Sequence, residues 1–126
     1  MNEKKAMLDY KNWAVVGDVL NPTKYAYTIK NRLKDTGYKV FEVNPRDKSG
    51  AIFSTLTEVK DKIDVIDLCI NPHQGIEIVK EAFELGIMKV LKQPGAASEE
   101  IILFCKEKGI EYVQSCALVE LSRRGY

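Results

Sequence analysis

The sequence predicts an α/β fold: a doubly wound sheet of five mainly parallel strands, in the order 3-2-1-4-5, with helices on both faces. Three observations carry this expectation. A helix-like segment ends in glycine and a β-rich run follows within a few residues, three times over: Gly37-Tyr38-Lys39-Val40, Gly86-Ile87-Met88-Lys89-Val90 and Gly109-Ile110-Glu111-Tyr112-Val113. The candidate strands are short and apolar on both alternations, as strands covered on two faces are. Strand and helix alternate about four times, which right-handed crossovers convert into parallel pairing.

Each element has its own signal. Strands are expected at residues 13–16, 40–43, 65–70, 88–91 and 112–113. Helices between them follow from apolar residues three and four apart: Ala26, Ile29 and Leu33; then Ile76, Val79 and Phe83; then Ile101 and Cys105, with Ile102 beside them. Each phrase glycine supplies the left-handed residue that closes a helix before the next strand. Ser98 followed by Glu99 and Glu100 suits a helix start, because a hydroxyl cap and early carboxylates complement free N–H groups. Residues 47–62 are polar and weakly patterned, and read as a loop with a helical turn near 57–60. Asn2 is expected to cap a brief helix that packs Met7 and Leu8, and a last short helix is expected at 117–122.

The chain has 126 residues, 45% hydrophobic and 29% charged, which suits one globular domain over 1–126. A chain this long buries roughly 65–70% of its unfolded surface and needs no disulfide or metal to fold. Lys+Arg is 19 against Asp+Glu 18, so there is no basic footprint for nucleic acid or an anionic membrane. Cys69, Cys105 and Cys116 lie far apart and His73 is the one histidine, which argues against a disulfide framework and a multi-histidine metal site. No apolar signal region and no run near the ~20 residues of a membrane span are seen, so the expected location is the cytoplasm.

In an open α/β sheet, ligands bind beyond the carboxyl ends of the strands. The segments to inspect are therefore Gly17-Asp18-Val19-Leu20-Asn21-Pro22-Thr23-Lys24, Asn44-Pro45-Arg46, Asn71-Pro72-His73, Gln93-Pro94-Gly95 and Ser115-Cys116. Four of the five contain proline, which fixes φ and ends a strand in a stiff turn. Together they suggest a shaped crevice. The first would be the phosphate site of a nucleotide binder, yet it holds one glycine rather than G-x-G-x-x-G. An acid for ribose hydroxyls is also missing after the second strand; Asn44-Pro45-Arg46 stands there, and Glu42 lies within the strand. Lys24 and Arg46 offer positive charge suited to phosphates.

These segments, in this order and spacing, resemble the small stand-alone CoA-binding domain proteins, which are Rossmann-like and related to the CoA-binding domain of the succinyl-CoA synthetase α subunit. The resemblance runs from about Asn12 to about Arg124. It rests on Trp13-Ala14-Val15-Val16-Gly17, on Asn21-Pro22 with Lys24 and Tyr27, and on Gly37 through Pro45. It continues with Ile63-Asp64-Val65-Ile66-Asp67, Asn71-Pro72, Gln93-Pro94-Gly95, and Cys116 with Leu118. The resemblance implies a bound CoA or acyl-CoA. Its phosphates would lie over Gly17 to Lys24 and the following helix, its adenine and ribose near Asn44, Pro45 and Arg46. Asn71-Pro72 and Gln93-Pro94-Gly95 would line the way to the pantetheine arm. Asp18 and Val19 replace the family's usual small residue and serine, and Thr23 stands where glycine is frequent.

No catalytic group is expected. Cys116 is the best-placed thiol, but only His73 could serve as its base, and nothing in the sequence brings them together. Cys69 and Cys105 read as core, and Asp67 either as partly buried near the crevice or as a strand residue with a local hydrogen-bond partner. The expected function is binding of CoA or an acyl-CoA. The alternatives are an NAD(P)-dependent redox enzyme or sensor, and a degenerate module that works through a protein partner; a homodimer is also open.

Overall fold

A computed structural model describes residues 6–93 and 98–125. Five strands, β1 (Asn12–Gly17), β2 (Lys39–Val43), β3 (Val65–Cys69), β4 (Lys89–Lys92) and β5 (Glu111–Gln114), form one parallel sheet. Four helices accompany them: α1 (Tyr25–Asp35), α2 (Pro72–Glu84), α3 (Glu99–Lys108) and α4 (Ala117–Arg123). A 3-10 turn at Met7–Asp9 precedes β1 and buries Met7 and Leu8. The cap expected from Asn2 lies outside the described residues.

Both faces of β1 are buried, as its unbroken apolar run requires. Ala14 and Val16 join Ile66, Leu68 and Val90 in a core covered by α2 and α3. Trp13 and Val15 join Val65 and Leu91 under α1 and α4, where Ile29, Leu33 and Leu121 pack. Trp13 is fully buried; its Nε1 donates to the Tyr10 carbonyl at 2.8 Å and its ring meets Tyr38 edge-on at 6.1 Å. Of the predicted helical faces, Ala26, Ile29, Leu33, Ile76, Val79, Ile101 and Cys105 are buried, whereas Ile102 faces solvent.

The three glycine phrases close their helices in one way. The residue after the glycine donates back five positions, Tyr38 to Leu33 at 3.0 Å, Ile87 to Ala82 at 2.8 Å and Ile110 to Cys105 at 2.8 Å. Gly37, Gly86 and Gly109 take φ of 95°, 79° and 73°, so the joint needs a residue free to turn left-handed. At the start of α3, Ser98 Oγ accepts from the Ile101 N–H at 3.4 Å, as its sequence context predicts.

The strand order is β2-β1-β3-β4-β5, not 3-2-1-4-5. β3 sits against β1 rather than outside β2. The position outside β2 is taken by a single residue, Phe53, in a parallel bridge to Val43. Its N–H donates to Glu42 O at 3.1 Å and its carbonyl accepts from Asn44 N at 2.9 Å. With that bridge counted as a vestigial strand, the order is the six-strand dinucleotide-fold order, its third strand reduced to one residue. The polar segment 47–62 forms neither a full strand nor a helix; only a tight turn closes at Leu56–Val59. Carboxylates hold it instead. Glu58 accepts from Ser54 and Thr55 N–H, both at 2.9 Å, and Glu81 of α2 accepts from Leu56 and Thr57 N–H at 3.2 and 3.1 Å.

Candidate functional site

The turn after β1 is built from its own side chains. Val19 N–H donates to Gly17 O at 2.9 Å, and Val19 is fully buried, anchoring the loop. Asn21 Oδ1 accepts from Thr23 N–H at 3.0 Å and Thr23 Oγ1 at 2.7 Å. Gly17 has φ of 152°, and a Cβ there would lie 2.5 Å from the Cys69 carbonyl oxygen, so β1 and β3 meet at a point where only glycine fits. The chain then enters α1 with Lys24 at the N-cap, a residue without an acceptor, so the first-turn N–H groups have no side-chain cap. By contrast, Asn71 caps α2, its Oδ1 accepting from Gln74 N–H at 3.0 Å, with Pro72 in the first turn. After β2, Asn44 Oδ1 accepts from Arg46 N–H at 3.0 Å and fixes that turn.

These turns surround an open crevice of about 1180 Å³ at the carboxyl ends of the strands. Of the residues singled out in the sequence, it brings together Asp18, Lys24, Asn44, Arg46, Asn71, Pro72 and Gln93. Gly17, Val19, Asn21, Pro22 and Pro45 shape the turns without lining it. Tyr27 is turned aside, its ring 4.9 Å from Lys30 Nζ. Pro94 and Gly95 lie outside the described residues. His73 is exposed and does not line the crevice.

Several lining residues carried no sequence signal. Tyr25, 69% exposed, stands at the start of α1, and Lys48 and Ser49 extend the turn after β2. Cys69, expected in the core, is half-buried and opens onto the crevice together with Cys116. Cys105 is core as expected, and burial pushes its thiol up to about 11.

Charge is unevenly distributed. Lys24, Arg46 and Lys48 are the cations that line the crevice, all from the start of α1 and the turn after β2. Asp47, beside them, is turned into its own loop and accepts from Ser49 Oγ at 2.7 Å and Gly50 N at 3.1 Å. Asp18 is exposed in the crevice; its carboxylate accepts from Asn21 Nδ2 at 3.5 Å, and no ion pair joins it to Lys24. Glu42, within β2, is tied to α1 by two cations. It accepts from Lys30 Nζ at 2.7 Å and Lys34 Nζ at 2.8 Å. Burial works to raise its carboxyl, but these two cations together outweigh burial and hold it below the usual range.

Toward β3 and β4 the character changes. Asp67 is fully buried, and desolvation lifts its carboxyl to about 7, opposed only by the Cys69 thiol, which donates to Oδ1 at 3.4 Å. Burial, then the adjacent Asp67, push the Cys69 thiol well above its ordinary value. Lys92 is fully buried, and desolvation lowers its ammonium pKa. Among the described residues, no group of three or more His, Cys, Asp or Glu is placed to hold a metal ion, and no helix is long and apolar enough to cross a membrane.

A parallel sheet with a crevice at its switch point, a helix N-terminus and cations at one end defines a Rossmann-like protein. The chain belongs to the CoA binding domain family, which it matches over residues 11–122. It is 36% identical to a conserved hypothetical protein from Pyrococcus furiosus, covering 88% of this chain and 99% of that one, with a TM-score of 0.79. A hypothetical protein from Pyrococcus horikoshii OT3 is 27% identical with a TM-score of 0.84, covering 98% of both chains. The uncharacterized protein YneT of Bacillus subtilis (strain 168) is 28% identical over 109 residues, 84% of this chain and 81% of its own length.

Proposed function

We propose that the protein binds CoA or an acyl-CoA in this crevice and acts as a recognition module with no catalytic group of its own. The observation that carries this reading is the gathering of Lys24, Arg46 and Lys48 beside the uncapped start of α1. CoA carries a pyrophosphate and a ribose phosphate, and backbone N–H groups with nearby cations are the groups that take such anions. At about 1180 Å³ the crevice has room for a ligand of CoA's size. An NAD site is disfavoured by the turn after β2. The turn after β2 offers Asn44, Pro45 and Arg46 rather than an acid, and Glu42 is held by Lys30 and Lys34.

Asp18 favours a second reading. A carboxylate standing in the crevice, with no ion pair among the described residues, repels phosphate, as expected of a module that works through a protein partner or a second copy. Calorimetric titration with CoA, acetyl-CoA, NAD and NADP separates the readings. Micromolar binding of CoA without NAD is the expected result. Binding of NAD(P) alone would overturn it, and binding of none would favour the partner module.

A further inference from the structure

Cys69, Cys116 and Asp67 meet at the β3–β5 end of the crevice, and binding alone gives none of them a task. Leu68, Lys92 and Gln114 stand level across β3, β4 and β5. Gln93 N–H then donates to Leu68 O at 3.2 Å and Ser115 N–H to Lys92 O at 3.0 Å, so Cys69, Gln93 and Ser115 make the next row. Cys116 follows at once, where the chain turns into α4. That helix comes back over the sheet face against which Cys69 packs, since Ala117 and Leu121 share its cluster with Val15 and Leu91. The turn thus carries Cys116 from the β5 edge toward Cys69. Both thiols are free, half-buried and open onto the crevice. After burial and Asp67, Cys116 is itself among the groups that push the Cys69 thiol up, so the two sulfurs lie close enough to interact. Asp67 is fully buried two residues back along β3, on the same face, and its Oδ1 accepts from Cys69 Sγ at 3.4 Å.

We infer that Cys116, Cys69 and Asp67 form a dithiol exchange site that reduces the disulfide form of the ligand, CoA disulfide, to two CoA thiols. The inference rests on the CoA reading above, and it adds one reaction per reduced chain rather than a catalytic cycle. Cys116 is the entry thiol, because burial and the adjacent carboxyl keep Cys69 protonated and only a thiolate attacks. Cys116 gives its proton to water, and its sulfur attacks one sulfur of CoA disulfide. That S–S bond breaks, the first CoA leaves as a thiolate that water protonates, and the second stays on Cys116 as a mixed disulfide. Cys69 then attacks Cys116 Sγ while its proton passes to Asp67. The bond from Cys116 to CoA breaks, the second CoA leaves and takes a proton from water, and Asp67 returns its own proton to water. Two electrons pass from the cysteine pair to CoA disulfide, with no further oxidant or reductant. A carboxyl that titrates at about 7 is matched to accepting the Cys69 proton at neutral pH.

The test treats the reduced, intact protein with CoA disulfide, and in parallel with glutathione disulfide. Released CoA is followed by chromatography and the protein by intact mass and peptide mapping. Wild type is expected to release two CoA per chain and to finish with Cys69 joined to Cys116, Cys105 remaining free in the core. Cys69→Ser is expected to release one CoA and keep the other as an adduct, and Cys116→Ser to lose the reaction. Asp67→Asn is expected to slow the second release about a hundredfold relative to the first. Wild type that stays unreacted, or that stops at the adduct, overturns the inference, and calorimetric binding of CoA in that case leaves CoA recognition standing. Glutathione disulfide reacting as fast as CoA disulfide overturns the assignment of the substrate. The wild-type peptide map decides the matter even where a variant does not fold.

Discussion

Replacing Asp67 by asparagine should change how stability depends on pH. Asp67 is fully buried, and its carboxyl titrates at about 7 rather than at 3.8. The folded chain therefore holds this proton more tightly than the unfolded chain. Between those two values the folded state carries more protons, so stability falls as pH rises, and above about 7 the penalty is constant. Three pKa units and a little more correspond to about 4 kcal/mol in full, of which about 2.5 kcal/mol develops between pH 5 and pH 8. The asparagine amide cannot ionise, so the variant should gain about 2.5 kcal/mol on wild type across that interval, whatever fixed cost the amide imposes. Contributions from Glu42 and Lys92 are common to both chains and cancel. Urea unfolding followed by circular dichroism at half-unit steps from pH 5 to 8 measures this. Parallel curves for the two proteins would refute the burial of a carboxyl at this position.

Three further outcomes follow. Gly17→Ala places a methyl 2.5 Å from the Cys69 carbonyl oxygen, and should cost about 2–3 kcal/mol, seen as a clear fall in Tm; an unchanged Tm would mean the two strands do not meet there. Asp18→Ala removes the carboxylate from the crevice and should strengthen CoA binding about two- to fivefold by calorimetry; unchanged affinity would show that the carboxylate turns away from the phosphates. Glu42→Gln leaves the buried Lys30 without its ion pair and should cost about 1–3 kcal/mol at pH 7. Because the Glu42 carboxyl lies below its ordinary 4.5, that stability is present above 4.5 and is lost as pH falls below it, so the two proteins should converge in acid.

The helices and their joints were legible because each leaves a local record. Ala26, Ile29 and Leu33 fall on one face, and a glycine closes each of the first three helices. Strand positions were legible to within a residue or two for the same reason. Strand order was not. A parallel strand buried on both faces carries no mark of its neighbour, so β3 could not be told from a strand outside β2. The occupant of that outer position, Phe53, is one residue in a polar segment. At the site, the rule that ligands gather at the carboxyl ends located Lys24, Asn44, Arg46, Asn71 and Gln93. It could not show that Tyr25 and Lys48 face the crevice rather than bulk water, since both environments suit the same side chains. Cys69 closes an apolar run, which is how a core cysteine also looks, so its opening onto the crevice left no mark in the sequence.

The repeated direction of strand and helix gives the molecule an electrical asymmetry that its composition conceals. The net charge is +1, yet α1, α2 and α3 all start at the carboxyl edge of the sheet and end at the other. Each helix of that length presents about half a positive charge at its start and half a negative charge at its end, so the two edges differ by roughly three elementary charges before any side chain is counted. A polyanion approaching this nearly neutral protein is thus drawn to one edge and turned from the other. Its association rate should fall as salt is added, in a way that a sphere bearing one charge would not show.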